Sequence, residues 1–304
     1  MTGPAGVARP RVAVVGSANM DLVATAPALP RPGETVLGDD FAMVPGGKGA
    51  NQAIAAARAG GECVFLGAIG SDAFGVTLKA RLTASGVDTG QVRVVYGTSG
   101  VAVIMVDGAG ENAIVVTPGA NGAFLGLGPA ELGAIEAADV LIAQLEIPLA
   151  TVAEAARAAR GAGTRVLLNA APAVPLPDDL LGLVDLLVVN EGEAEALTGR
   201  SRDEPAALLA AVPRAVLTLG AEGAWYVDRD GTAELVRPPS VRSVDSTAAG
   251  DAFTGALAVA WAEGRPLLDA VRWACAAGAA CVRKLGASSS LPGRAEIDEL
   301  YLPG

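Results

Sequence analysis

The sequence predicts an α/β fold in which βα units surround a largely parallel sheet, with a small β lid outside it. Three observations carry this. Short apolar runs rich in β-branched residues alternate with Ala-rich stretches of helical periodicity. Two stretches, about 21–45 and 92–118, break that alternation with Pro, Gly and alternating apolar residues such as Val101, Val103, Met105, Ile114 and Val116, as hairpins outside a main sheet do. Polar residues gather just past the carboxyl ends of predicted strands, where open α/β sheets bind ligands. The 304 residues could hold two domains, but no internal repeat or low-complexity linker divides them. A single domain over 1–304 with two lid segments is expected.

The apolar run over 12–16 is the first strand, and 63–68 the next after the lid segment. Strands follow at 140–144, 165–169, 186–190, 215–219 and 224–227, each a short, mainly apolar run. Between them the helical stretches are 49–59, 73–85, 149–160, 193–198, 205–211, 249–263, 267–284 and 294–300.

Composition narrows the chemistry. Lys and Arg number 22 against 33 Asp and Glu, a net charge of −11. That argues against a nucleic-acid or anionic-membrane surface, which needs clustered cations. With no histidine in the chain, a Ser-His-Asp or Cys-His nucleophile, a His-ligated zinc and a His base are excluded. Catalysis must run on carboxylates, backbone amides, lysine or a bound ion. Cys63, Cys275 and Cys281 form no CxxC pair and read as small buried hydrophobes in a reducing compartment. Residues 1–15 hold an apolar run only over 12–15, too brief for a signal-peptide core, and no apolar stretch reaches the ~20 residues of a membrane span. A cytoplasmic protein with neither nucleic-acid nor membrane partners is expected.

After the strand over 12–16 come Asn19 and Asp21; after 140–144 comes Glu146; after 186–190 come Glu191 and Glu193, with Asn190 at the strand end; after 215–219 comes Gly220-Ala-Glu-Gly223. Singly each fits a turn. Together they line a crevice with groups suited to hydroxyls. The cluster Pro45-Gly-Gly-Lys-Gly-Ala-Asn-Gln-Ala53 runs into an Ala-rich helix. Its glycines would let backbone approach a ligand, and Lys48, Asn51 and Gln52 offer polar contacts, although an ordinary loop and helix start fits as well. It is neither a Walker A loop, since Gly49 follows Lys48, nor a GxGxxG fingerprint. Asp245-Ser-Thr-Ala-Ala-Gly-Asp-Ala-Phe-Thr-Gly255 opens another apolar helix, where the N–H groups of Ala248, Ala249 and Gly250 would face an anion. Asp251 reads equally as a helix-start carboxylate and as a base beside an oxyanion cradle, the pairing that phosphoryl transfer to an alcohol needs.

With Gly16-Ser-Ala-Asn-Met-Asp21, Pro32-Gly-Glu-Thr35 and Asn190-Glu-Gly-Glu193, these segments resemble in order and spacing the ribokinases, within the PfkB family of sugar and nucleoside kinases. The likeness covers nearly the whole chain, and Gly46-Gly-Lys-Gly-Ala-Asn-Gln-Ala53 and Asn169-Ala-Ala-Pro-Ala173 are its most ribokinase-like pieces. The resemblance implies a ribokinase-like three-layer α/β/α domain with a mostly parallel central sheet plus a small β-sheet lid. It implies ATP-dependent, in-line phosphorylation of D-ribose at O5 by a homodimer paired through the lid. Residue by residue, it implies that Asn19, Asp21, Gly47, Lys48, Asn51 and Glu146 hold the sugar, Asp251 is the base at its hydroxyl, and Ala249 and Gly250 form the anion hole. It further implies that Asn190, Thr218, Gly220, Gly223, Gly250 and Cys275 meet the nucleotide, and that Asn190 and Glu193 organise Mg²⁺ largely through water. Asp245, Thr247, Cys281, Lys284, Gly286 and Ser290 would cradle an activating K⁺, mostly through backbone oxygens.

The sequence departs from relatives at Ser246-Thr247, in the loop Gly286-Ala-Ser-Ser-Ser-Leu-Pro292, and at Cys275, where His or Asn is common. None of these touches the sugar set, so they bear on the cation loop and nucleotide choice. Rival readings are a kinase for 2-deoxyribose, another furanose or a nucleoside, and a non-catalytic sugar-binding regulator on the same fold. Asp251 with its cradle argues against the last, because a pure binder needs no base.

Overall fold

The computed structural model describes residues 9–301; residues 1–8, the front of the stretch read for a signal segment, and 302–304 lie outside the described residues. In chain order the elements are β1 (Arg11–Val15), β2 (Asn19–Thr25), β3 (Asp40–Gly46), α1 (Lys48–Arg58), β4 (Glu62–Leu66), β5 (Ala68–Gly70), α2 (Ala73–Ala84), β6 (Arg93–Val95), β7 (Gly100–Val106) and β8 (Asn112–Thr117). Then come α3 (Pro129–Glu136), β9 (Val140–Ala143), α4 (Leu149–Ala162), β10 (Arg165–Asn169), α5 (Asp178–Leu181), β11 (Leu186–Asn190), α6 (Glu191–Thr198), β12 (Arg214–Thr218), β13 (Ala224–Asp228), β14 (Ala233–Val236), α7 (Ala249–Ala262), α8 (Leu267–Cys281) and α9 (Arg294–Leu300).

The central sheet runs β14-β13-β12-β11-β10-β9-β1-β4, parallel from β12 to β4 and antiparallel at the β13 and β14 edge. Its inner strands are apolar throughout because both faces are covered. Along β1, Val12 and Val14 enter a core shared with Ile54 of α1, Leu78 of α2, Leu257 of α7, Trp273 of α8 and Ile297 of α9. Ala13 and Val15 enter the opposite core, with Ile135 of α3, Val152 of α4, Leu180 of α5 and Ala194 of α6. The period-2 alternation of strand side chains thus builds the three layers.

The expected parallel sheet and separate small sheet are present, with local corrections. The run over 63–68 is not one strand: it splits at Gly67 into β4 and β5, which belong to different sheets. A Cβ at Gly67 would lie 2.5 Å from Gly16 O, so the chain presses against β1's end and turns away. The stretches expected as hairpins form one four-stranded sheet, β3-β2-β7-β8, in which β2 and β7 pair in parallel. The start of the second stretch is not in it, since β6 pairs with β5. The helix expected at 205–211 is a 3-10 turn over Pro205–Ala210, whose Ala207 and Ala211 N–H groups reach back three residues. The helix expected to run to 284 ends at Cys281, while α3, α5 and β14 had no counterpart in the sequence reading.

One helix crossing positions everything that follows. A Cβ at Gly255 of α7 would lie 2.6 Å from Ala55 Cβ, 2.8 Å from Ala56 N and 2.8 Å from Gln52 O, all on α1. The backbones approach this closely only because α1 offers alanines and α7 a glycine. A Gly255→Ala change would gain about 1 kcal/mol of helix propensity and lose about 3 kcal/mol by forcing backbone apart. Thermal denaturation should show a lower Tm for this variant; an unchanged or higher Tm contradicts the tight crossing.

Candidate active site

The crevice lies where β2 leaves β1 and α1 enters from β3. Two glycines close its wall. A Cβ at Gly46 would lie 2.3 Å from Asp21 Oδ2, and one at Gly47, which has a φ of 91°, would lie 2.6 Å from Asn19 N. The glycine cluster is therefore a packing requirement: any side chain there would displace Asn19 and Asp21. Pro32-Gly-Glu-Thr35 lies outside the crevice, exposed between β2 and β3.

Hydrogen bonds fix several of the sugar-set residues of the sequence reading. Glu146 Oε2 accepts from Lys48 N at 3.1 Å and from Ser17 Oγ. Asp251 Oδ2 accepts from Asn51 Nδ2 at 3.0 Å, and Asp251 Oδ1 from Gln52 Nε2 at 2.9 Å. Gln52 points at this carboxylate and not into the crevice. Asn19 Oδ1 accepts from Asn121 Nδ2 at 2.7 Å, and Asn121 is itself locked to both backbone groups of Ala18, so the free end of Asn19 is its Nδ2 donor. Asn51 Oδ1 is buried without a partner, a loss of about 1–3 kcal/mol unless a ligand donates to it. Ser17 and Asn121 were missed in the sequence; each is a lone polar residue whose partner lies more than 100 residues away, and no local signal marks it.

The electrostatics follow from burial. Asp21 is pushed up to about 7 by desolvation and by the Glu146 and Asp251 carboxylates. Asp251 is raised by burial to about 6, against the pull of Lys48 and of the Gln52 and Asn51 amides, with Glu146 opposing them.

Beside Asp251 opens a cavity of about 540 Å³ lined by Thr218, Gly220, Gly223, Gly250 and Cys275, the nucleotide residues of the sequence reading other than Asn190, and by Ala249 of the expected anion hole. At its floor α7 begins from Ala248 in the left-handed conformation, φ 62°. In this turn Ala249 N donates to Ser246 O at 3.2 Å. The N–H groups of Gly250 and Asp251 find no acceptor among the described residues, and a Cβ at Gly250 would meet nothing within 4 Å. An uncommitted helix start facing an open cavity suits an anion.

Asn190 and Glu193 cap α6 reciprocally, each backbone N–H donating to the other's side chain at 2.8 Å. Burial raises the Glu193 pKa. No cluster of three or more metal-ligating side chains occurs among the described residues, so this lone carboxylate and carboxamide fit Mg²⁺ that keeps most of its water. The expected K⁺ residues also meet. Asp245 accepts from Thr247 N, Thr247 Oγ1 and Gly286 N, and Cys281 Sγ lies 3.1 Å from Ser290 Oγ and 3.6 Å from Thr247 O. The Lys284 side chain does not join them; it pairs with Glu296.

Residues 9–294 match the family described as pfkB family carbohydrate kinase. The chain is 41% identical over 301 residues to a ribokinase of Haemophilus influenzae, covering 96% of this chain and 98% of that one. It is 40% identical to a ribokinase of Schizosaccharomyces pombe, with coverage of 94% and 96%. A solved structure of Arabidopsis thaliana ribokinase complexed with ribose and ATP superposes with a TM-score of 0.92 at 32% identity, covering 98% of this chain and 100% of that chain.

The raised Asp21 pKa carries a stability consequence. The folded chain binds this proton more tightly than the unfolded chain, so the group's contribution is favourable below about 4 and is lost as pH rises through about 7. Asp21→Asn, without ligand, should raise Tm at pH 8 by about 2–4 °C, with the gain shrinking as pH falls towards 4. A lower Tm at pH 8 contradicts the buried-charge account.

Proposed function

The chain belongs to the pfkB family of carbohydrate kinases, and we propose that Asp251 takes the proton from O5 of D-ribose while the γ-phosphate of ATP passes to that oxygen. The enzyme phosphorylates ribose at the expense of ATP. The observation that carries the base assignment is Asn51: its Nδ2 holds the Asp251 carboxylate while its buried Oδ1 stands bare. One side chain thereby orients the base and asks for a ligand hydroxyl.

Asn19 presents a donor, Asn51 Oδ1 an acceptor, and Asp21 and Glu146 carboxylates that take two hydroxyl bonds each, a set suited to a polyol ring. The Asp251 carboxylate accepts the O5 proton, the freed electron pair forms the O5–P bond, and the bond to the bridging oxygen breaks to leave ADP. The open N–H groups of Gly250 and Asp251 take up charge developing on the transferring phosphoryl oxygens. Asn190 and Glu193 would hold Mg²⁺ through water, which neutralises phosphate charge when bound.

The K⁺ cluster at Asp245, Thr247 and Ser290 borders α7 and would order its first turn. The four-stranded sheet acts as a lid and pairs two copies: by register Val116 shares the Asp21 face, as Ile114 shares that of Ile104, and both stay about half exposed. The three cysteines are buried and unpaired, as suits a reducing cytoplasm, and no helix among the described residues is long and apolar enough to cross a membrane.

Asp251→Asn should lower kcat by about 10²–10⁴, with the calorimetric Kd for ribose nearly unchanged; a variant keeping a tenth of the wild-type rate overturns the base assignment. Turnover of ribose should be faster in KCl than in NaCl or tetramethylammonium chloride, with the active species sedimenting as a dimer. Equal rates in all three salts dismiss the cation site, and a fully active monomer dismisses the lid dimer.

A further inference from the structure

Gln52 and Gln144 are fully buried, and neither is needed to hold sugar or nucleotide. A carboxamide has one donor end and one acceptor end, and here every end but one is committed. Gln52 Nε2 gives one proton to Asp251 Oδ1 and the other to Asn169 Oδ1, each at 2.9 Å. Gln52 Oε1 accepts from Gln144 Nε2 at 2.6 Å. Gln144 Oε1 is left buried without a partner, beside Gly16, whose absent side chain gives it room.

The orphaned oxygen fixes the direction of the chain. Were both amides reversed, Gln52 Oε1 would face the oxygens of Asp251 and Asn169 with no proton between them. An ionised carboxylate accepts only, so it demands the donor end of Gln52, and Gln52 then demands the donor end of Gln144. The unsatisfied atom is displaced to the far end of the chain, away from the reacting centre.

We propose that Gln52, oriented by Gln144, is a positioning residue for phosphoryl transfer: it holds Asp251 as a carboxylate and anchors Oδ1, turning Oδ2, on the Asn51 side, towards the substrate hydroxyl. This deepens the reading of Asp251 as the base and rests on it. The charged and titratable groups that face Asp251 are Lys48 from α1, Glu146 after β9, Asp21 from β2 and Cys281 from α8. Burial and Glu146 push its pKa up, and the Gln52 amide is one of the few forces pulling it down. Because both ends of Gln52 are used inside the protein, its loss should move the protonation of the base and leave ribose affinity alone.

The test compares the kcat–pH profile and the calorimetric ribose Kd for Gln52→Met, Gln144→Met, the combined variant and Asp251→Asn. Gln52→Met should move the acid limb up by about one pH unit with ribose Kd within about twofold of wild type. Gln144→Met should move it up by less, because Gln52 keeps its amide and loses only the partner that fixes which end faces Asp251. In the combined variant the limb should match that of Gln52→Met alone, since Gln144 acts only through Gln52. An unmoved limb in Gln52→Met, or a Gln144→Met effect that persists in the Gln52→Met background, overturns the proposal. Should Gln52→Met fail to fold, Gln144→Met decides: a limb shifted up at unchanged ribose affinity supports the chain, and an unmoved limb refutes it. Full turnover in Asp251→Asn would instead reject the base assignment beneath it.

Discussion

The close crossing of α1 and α7 is the constraint on which the site depends. Gly255 lies one helical turn beyond Asp251, and its bare Cα lets Gln52, Ala55 and Ala56 come into contact. The same crossing brings the Asn51 and Gln52 amides within 3.0 Å of the Asp251 carboxylate. Asn51, Gln52 and the proposed base are therefore held by two packed helices, with the precision that rigid elements give and loops do not. The second tight contact, Gly47 against Asn19, ties β2 to the start of α1. Between them these two contacts bring the sugar set together from segments far apart in the chain.

The electrostatic design explains how an acidic chain without histidine handles a polyanion. In the proposed reaction, phosphate charge meets peptide N–H groups at the start of α7, where Ala248 in the left-handed conformation turns the chain into the helix. The proposed base is an aspartate whose pKa burial raises to about 6, closer to neutral pH than a free carboxylate and better matched to proton transfer there. Crowding Asp21 and Glu146 beside it lowers the stability of the ligand-free protein, the usual trade between a poised site and a stable one.

Much of the fold was legible because its signals are local. The strands at Arg165–Asn169 and Leu186–Asn190 are continuous apolar runs, and α9 has the predicted bounds. What stayed hidden depends on distant partners. The split at Gly67 arises from contact with Gly16 O, and the parallel pairing of β2 with β7 joins strands separated by some 80 residues, which no local alternation encodes. The same division runs through the site. Lys48, Asn51 and Asp251 stand out beside glycines at helix starts, whereas Asn121 and Ser17 are single residues given meaning by Ala18, Asn19 and Glu146. The direction in which Gln52 points could not be read from its motif, since its partners are Asp251 on α7, Asn169 on β10 and Gln144 just past β9.

The central claim is geometric: the two helices place one oxygen of Asp251 against the hydroxyl that receives the phosphate. A crystal structure with ribose and a non-hydrolysable ATP analogue measures this directly. It should show Asp251 Oδ2 about 2.6–3.2 Å from O5 of ribose, with the Asn51 and Gln52 bonds to the carboxylate retained. A complex with another ribose hydroxyl at Asp251, or with O5 out of hydrogen-bond reach of it while both substrates are bound, would contradict the account.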